Sequence, residues 1–189
     1  MMEPTPSASA QIAAAVLPLP APLRDGAAVV ELDVAGQAHQ IRVGTNAMVC
    51  IADTPGDAAF DVRCYQKDFI GVVYRGFQVR REGNSHGHTV SDIVAQEIRD
   101  GRLPLFDAPT AGYRCDGPIG DYDGARNVIA PGIECWESLH FPNRSAKEMG
   151  LPDESELSET AQQSTPYVMA SGSYWSHVMI RHPRGRSVP

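Results

Sequence analysis

Long apolar runs are missing from this chain. No stretch approaches the roughly 18 apolar residues that a membrane helix needs, so no membrane span is expected. Positive charge is in deficit. Lys and Arg number 16 against 23 Asp and Glu, a formal charge of −7. That argues against a non-specific nucleic-acid partner, which requires cations to neutralise phosphates. Metal, nucleotide and hydrolase signatures are also missing. The chain has no Cys-x-x-Cys, no Gly-x-Ser-x-Gly, no P-loop and no dinucleotide fingerprint, and no cofactor is expected. No internal repeat is visible. The start lacks the basic segment that opens a secretory signal. Its first charge is Glu3, its first basic residue is Arg24, and the apolar stretch from Ile12 is broken by Pro18 and Pro20.

What is present is a chain of 189 residues with 42% apolar content, enough for one core and about one domain. It has 17 Gly and 15 Pro, above the usual combined share of about 12%, so it turns often. Residues 1–9 read as a disordered start and 183–189 as a flexible tail, leaving 10–182 as a single domain. Residues 10–17 are Ala-rich and form a short helix stopped by proline. Residues 27–33 and 38–43 are β-branched runs around a turn, and 48–52 pairs with 60–65 in the same way. These strands predict an antiparallel start. Ile70, Val73, Tyr74 and Phe77 follow helical spacing, placing a helix over 67–82. Thr89 predicts the cap of a second helix over 90–100, which Gly101 ends. Short strands follow at 111–115, 126–130 and 133–139. Residues 152–165 read as an exposed acidic loop with at most a helical turn, and 166–170 and 174–181 as a closing hairpin. The expected fold is α+β: an antiparallel or mixed sheet of short strands with about two helices packed on one face.

Four cysteines allow three disulfide connectivities. Local pairing, Cys50 with Cys64 and Cys115 with Cys135, is preferred: the first pair lies in strands expected to pair, and the second rests on its spacing across a loop between predicted strands. Reduced buried cysteines remain an alternative, as does a catalytic thiolate, for which Cys135 with His140 is the sequence-local candidate. A zinc site is disfavoured by the missing close pair.

Among ionisable groups, His86-Gly87-His88 superficially resembles a metal motif, but its flanks match neither the cupin nor the metallo-β-lactamase pattern. A polar loop is the better reading, and no metal site is assigned. His177 lies in a strand whose two faces both carry apolar groups. It is either a satisfied core imidazole or a pocket residue beside Trp175. Glu97 falls on the apolar stripe of the second helix, at its edge or buried against a partner. Asp116, Asp121 and Asp123 gather in a turn-rich segment without the order of a calcium loop.

The stretches IAAAVLPLPAPLRDGAAVV, VGTNAMVCIADTPGD, FDVRCYQ, EIRDGRLPLFDAPTAGYRCDGP, KEMGLP and PYVMASGSYWSHVMI together resemble an uncharacterised family of small exported bacterial proteins. Cys50 and Cys64 match its GTNxxVC…C pattern, His177 its terminal AHxMI-like strand, and Glu97 its ExxxGxL stretch. Cys115 and Cys135 are not part of the pattern. The resemblance implies a periplasmic or extracellular home, with the leader absent from this chain; the alternative is cytoplasmic. It brings no known activity.

Two functions compete. One is a binding or interaction protein without catalysis, taking a small molecule or a protein partner on a surface lined by Trp175, Tyr113 and Trp136. The other is a small hydrolase- or isomerase-like enzyme in which His177 works with Glu97 or His140 as acid/base groups.

Overall fold

The computed structural model of the protein describes residues 6–56, 58–83 and 87–181. The β-branched and aromatic runs form strands β1 (Ala28–Leu32), β2 (Ala38–Arg42), β3 (Met48–Ile51), β4 (Ala59–Gln66), β5 (Thr110–Pro118), β6 (Tyr122–Asp123), β7 (Val128–Ile129), β8 (Glu134–His140), β9 (Tyr167–Met169) and β10 (His177–Arg181). Eight of them make one sheet, in the order β2-β1-β3-β4-β5-β8-β10-β9, and β6 with β7 make a small ribbon. The sheet is mixed. β1 and β3 run parallel, whereas every other neighbouring pair is antiparallel. The antiparallel expectation for the first strands therefore holds within each hairpin and fails between them. The chain after β2 is drawn back along β1, where the Gly26 carbonyl accepts from the Thr45 and Asn46 amides. A Cβ on Gly44 would stand 2.5 Å from the Ala28 nitrogen, so only glycine permits this approach.

Among the described residues six α-helices are present rather than about two, and they cover both faces of the sheet rather than one. They are α1 (Ala8–Ala15), α2 (Ala21–Arg24), α3 (Ile70–Arg81), α4 (Gly87–Arg99), α5 (Ala146–Met149) and α6 (Glu159–Gln162). Of these, α2, α5 and α6 are single turns, too short to display helical periodicity in sequence. α5 and α6 depend on local end chemistry instead. α5 carries a full capping box between Ser145 and Glu148 and ends on Gly150 at φ 68°. In α6, the Ser158 hydroxyl accepts from the Ala161 amide. α1 begins within the expected disordered start, with Ser7 as its cap. α4 starts at Gly87, which puts Thr89 inside the helix rather than at its cap. The tail 183–189 lies outside the described residues. Among the described residues no helix is long and apolar enough to cross a membrane.

The two-sided cover follows from strand alternation. On one face Val29, Cys50 and Cys64 pack under Ala15, Val16 and Leu19 from α1 and the segment after it. On the other, Val30, Ile51 and Tyr65 pack under Phe69, Ile70, Val72 and Val73 at the start of α3. α4 closes on α3 through Val79, Val90 and Val94.

Both expected disulfides form, Cys50–Cys64 between β3 and β4 and Cys115–Cys135 between β5 and β8, and no cysteine is free. Each joins directly opposed residues of an antiparallel pair, with Cα atoms 4.0 and 4.1 Å apart. Cys135 is thus no thiolate. Two such bridges point to an oxidising, non-cytoplasmic environment.

Candidate binding pocket

The register of β4, β5, β8 and β10 stacks side chains in cross-strand rungs on the α3–α4 face. One rung is Thr110–His140–His177, continued by Met169 on β9. The next is Tyr65–Gly112–Ser138–Met179. The third is Arg63–Arg114–Trp136–Arg181, and the fourth brings Asp61, Asp116 and Glu134 together. A cavity of about 450 Å³ opens over the first three rungs, bounded by Val72, Val73, Gly76, Phe77 and Arg80 of α3 and by Tyr174 and Trp175. Its volume lies within the range of small-molecule sites.

At the inner end, the imidazoles of His140 and His177 stack with ring centroids 4.8 Å apart, and Trp175 meets His140 edge-on at 4.8 Å. Trp175 is backed by Phe69, stacked at 5.4 Å. Trp175 lies outside a strand, because β10 begins at His177. The turn before it uses Ala170 at φ 52° and Gly172 at φ 77°, and this turn lays the indole over the histidines. Burial and then the neighbouring His177 hold His140 well below the usual imidazole range. Burial also lowers His177, against a hydrogen bond to the Trp175 carbonyl that works the other way. Both rings are therefore neutral at pH 7.

The hydrogen bonds assign tautomers. His177 Nδ1 lies 2.7 Å from the Trp175 carbonyl oxygen, which can only accept, so Nδ1 carries the proton and Nε2 is the acceptor. Nε2 has no protein partner among the described residues and is not sealed in. Ser138 Oγ lies 3.3 Å from the Gly112 carbonyl and 3.1 Å from His140 Nε2. Both contacts are satisfied when the hydroxyl donates to Gly112 and accepts from His140 Nε2–H. His140 Nδ1 is then a sealed acceptor, and among the described residues it has no partner.

At the outer end, Trp136 lies between two guanidiniums, with Arg114 Cζ at 5.0 Å and Arg181 Cζ at 5.9 Å from its ring centre. Asp61 accepts from Arg63 and from Arg114. Burial works against the charged Asp61 carboxylate, but these bonds hold its pKa below the ordinary value. Asp116 goes the other way: burial raises it despite Arg114.

The sequence candidates separate. His177, His140, Trp175 and Trp136 all line the cavity. Tyr113 does not, because it packs on the opposite face against the Cys50–Cys64 cluster. Glu97 does not reach the histidines either. Arg75 of α3 donates to both of its oxygens at 2.7 and 2.8 Å, holding its carboxyl below the usual range. It is a clasp between α3 and α4. His86 lies outside the described residues, and His88 falls at the start of α4. Among the described residues, no three His, Cys, Asp or Glu gather to hold a metal.

Sequence reasoning missed the arginine rung, although strand parity carries it. The bridged cysteines face α1, so their neighbours Arg63, Tyr65, Arg114 and Trp136 must face the other way. The same parity puts Tyr113 with Cys115. A second cavity of about 400 Å³ lies between α1 and β6, lined by residues such as Ala14, Pro55 and Tyr122, and it has neither histidine nor arginine. Comparison with family models, with curated proteins and with solved structures finds no match.

Proposed function

We propose that the protein is a periplasmic or extracellular binding protein that holds a small molecule in the cavity between the sheet and α3–α4, without catalysis. One observation carries the reading: a cavity of about 450 Å³ ends on His177 Nε2, an acceptor without a partner among the described residues, beside the Phe69-backed Trp175. A core histidine satisfied on all sides would not leave that nitrogen open. The two disulfides and the resemblance to small exported bacterial proteins support the location. The test is a thermal-shift panel of neutral, cationic and anionic aromatic compounds, run on the wild type and on Trp175→Ala. Stabilisation of the wild type that is lost in the variant is expected. A panel in which no compound raises the wild-type midpoint would overturn the reading.

A second reading, a small hydrolase- or isomerase-like enzyme, draws on the same His140–His177 pair. The open Nε2 of His177, its tautomer set by a carbonyl, is placed as a general base would be. Glu97 takes no part, and His140, though it lines the cavity, is only 1% exposed. Chemical change of any bound panel compound, followed by mass spectrometry, would favour this reading over simple binding.

A further inference from the structure

The cavity is positive in a protein that is negative overall. Among the described residues its lining holds Arg63, Arg80, Arg114 and Arg181 and no carboxylate, whereas the chain carries −7. Three carboxylates stand one rung away. Asp61 pairs with Arg63 and Arg114, Asp116 with Arg114, and Glu134 with Arg181. Four guanidiniums against three carboxylates leave one positive charge over. Nor are the four equally engaged. Arg63 and Arg114 are tied by close hydrogen bonds. Among the described residues Arg181 has one ion pair, Nη1 with Glu134 at 3.8 Å, and its buried Nε has no hydrogen-bond partner. Arg80 makes no ion pair among the described residues. The uncommitted charge is thus on Arg181, in the third rung, and on Arg80, on the α3 side of the cavity.

The opposite end has the opposite need. His177 Nε2 can only accept, so it calls for a hydroxyl or N–H donor. Between the ends lie the faces and edges of Tyr65, Trp175 and Trp136 and the thioethers of Met169 and Met179, which favour a flat apolar body. His177 and Arg181 are four residues apart on β10, about 13 Å along a strand. An extended molecule with one aromatic ring bridges such a span once both side chains reach inward.

We infer that the ligand is a hydroxyaryl monocarboxylate, with its hydroxyl donating to His177 Nε2, its ring against Trp175, and its carboxylate on Arg181 and Arg80. This rests on the cavity being a binding site, and it goes further by naming both ends of the molecule. A planar guanidinium suits a carboxylate by two parallel hydrogen bonds.

The test is calorimetric titration of the oxidised protein near neutral pH with three probes: 4-hydroxycinnamate, its primary amide, and cinnamate. The acid is expected to bind at least about tenfold more tightly than the amide, since a charge-assisted pair is lost, and several-fold more tightly than cinnamate. The double variant Arg80→Gln, Arg181→Gln should lose the preference for acid over amide, the affinity for the acid falling to that for the amide. Arg80 is exposed and Arg181 half-buried, and an unchanged unfolding midpoint verifies that the variant folds. Equal wild-type affinity for acid and amide would overturn the carboxylate assignment and leave a site for neutral molecules. An acid preference that survives in the double variant would overturn the role of the two arginines. Absence of binding by all three probes would overturn the ligand class, and the thermal-shift panel with Trp175→Ala then judges the cavity separately.

Discussion

At the scale of single residues, the His140–His177 pair gives the fold a pH sensitivity with a definite sign. Both pKa values are lowered by burial. Above the ordinary imidazole value of about 6.5, folded and unfolded chains are alike neutral here and the pair costs nothing. As pH falls below that value, the unfolded chain takes up two protons that the folded chain refuses. Stability should then fall by up to about 2.7 kcal/mol per pH unit until the folded pKa values are reached. Asp61 acts in a separate, more acidic window, below its ordinary value of 3.8. Urea unfolding between about pH 7.5 and 5.5 measures the slope, and His140→Phe, which removes one of the two groups, should roughly halve it. A flat profile would show that the imidazoles accept protons in the fold. His177 and Trp175 were legible in sequence as neighbours on one strand. Their contact has another origin, because the indole is carried by a turn and not by the strand pleat.

At the scale of elements, the helix over Ile70–Arg81 falls within the expected 67–82. Of the expected stripe, only Ile70 and Val73 are buried, and Tyr74 and Phe77 are half-buried. Val72 and Val79 are buried as well, Val79 because α4 packs on a further side of the helix. Glu97 shows where such a stripe stops informing. Its position on the apolar side of α4 is explained by Arg75, which comes from another element and donates twice to it. The Glu97 side chain is 12% exposed, so removing it leaves a partly buried guanidinium short of acceptors. Glu97→Ala should destabilise the protein by about 1–3 kcal/mol, while 4-hydroxycinnamate binding by the folded protein stays near the wild-type value. Denaturant unfolding and calorimetry on the same variant check both halves. A variant that keeps its stability and loses the ligand would return Glu97 to the site. The single-turn helices were illegible for a different reason. One turn has no period, and only its caps, such as Ser145 with Glu148, leave a trace.

At the scale of the whole molecule, the two disulfides fasten adjacent strand pairs at the centre of an eight-stranded sheet. They close segments of 14 and 20 residues, and each should stabilise by about 3 kcal/mol. Thiol titration of the denatured, unreduced protein should find no free thiol, and reduction should lower the unfolding midpoint sharply. Four thiols in protein secreted under oxidising conditions would contradict both bridges. Cysteine spacing was sufficient to pair them, because each pair sits in local strands, and alternation then divides their neighbours between two faces. Residue order by itself therefore determined the strands other than β6 and the true start of β10, the two longer helices, the bridges and, through parity, which strand side chains share a face. Tertiary structure alone decided that the β1–β3 pair is parallel, that helices cover both faces, and that Arg75 rather than a histidine meets Glu97. It also decided that β10 lies beside β8, which joins His177 to His140 and Arg181 to Trp136. Those contacts link residues 37 to 45 positions apart in sequence, a separation over which neither helical nor strand periodicity carries information.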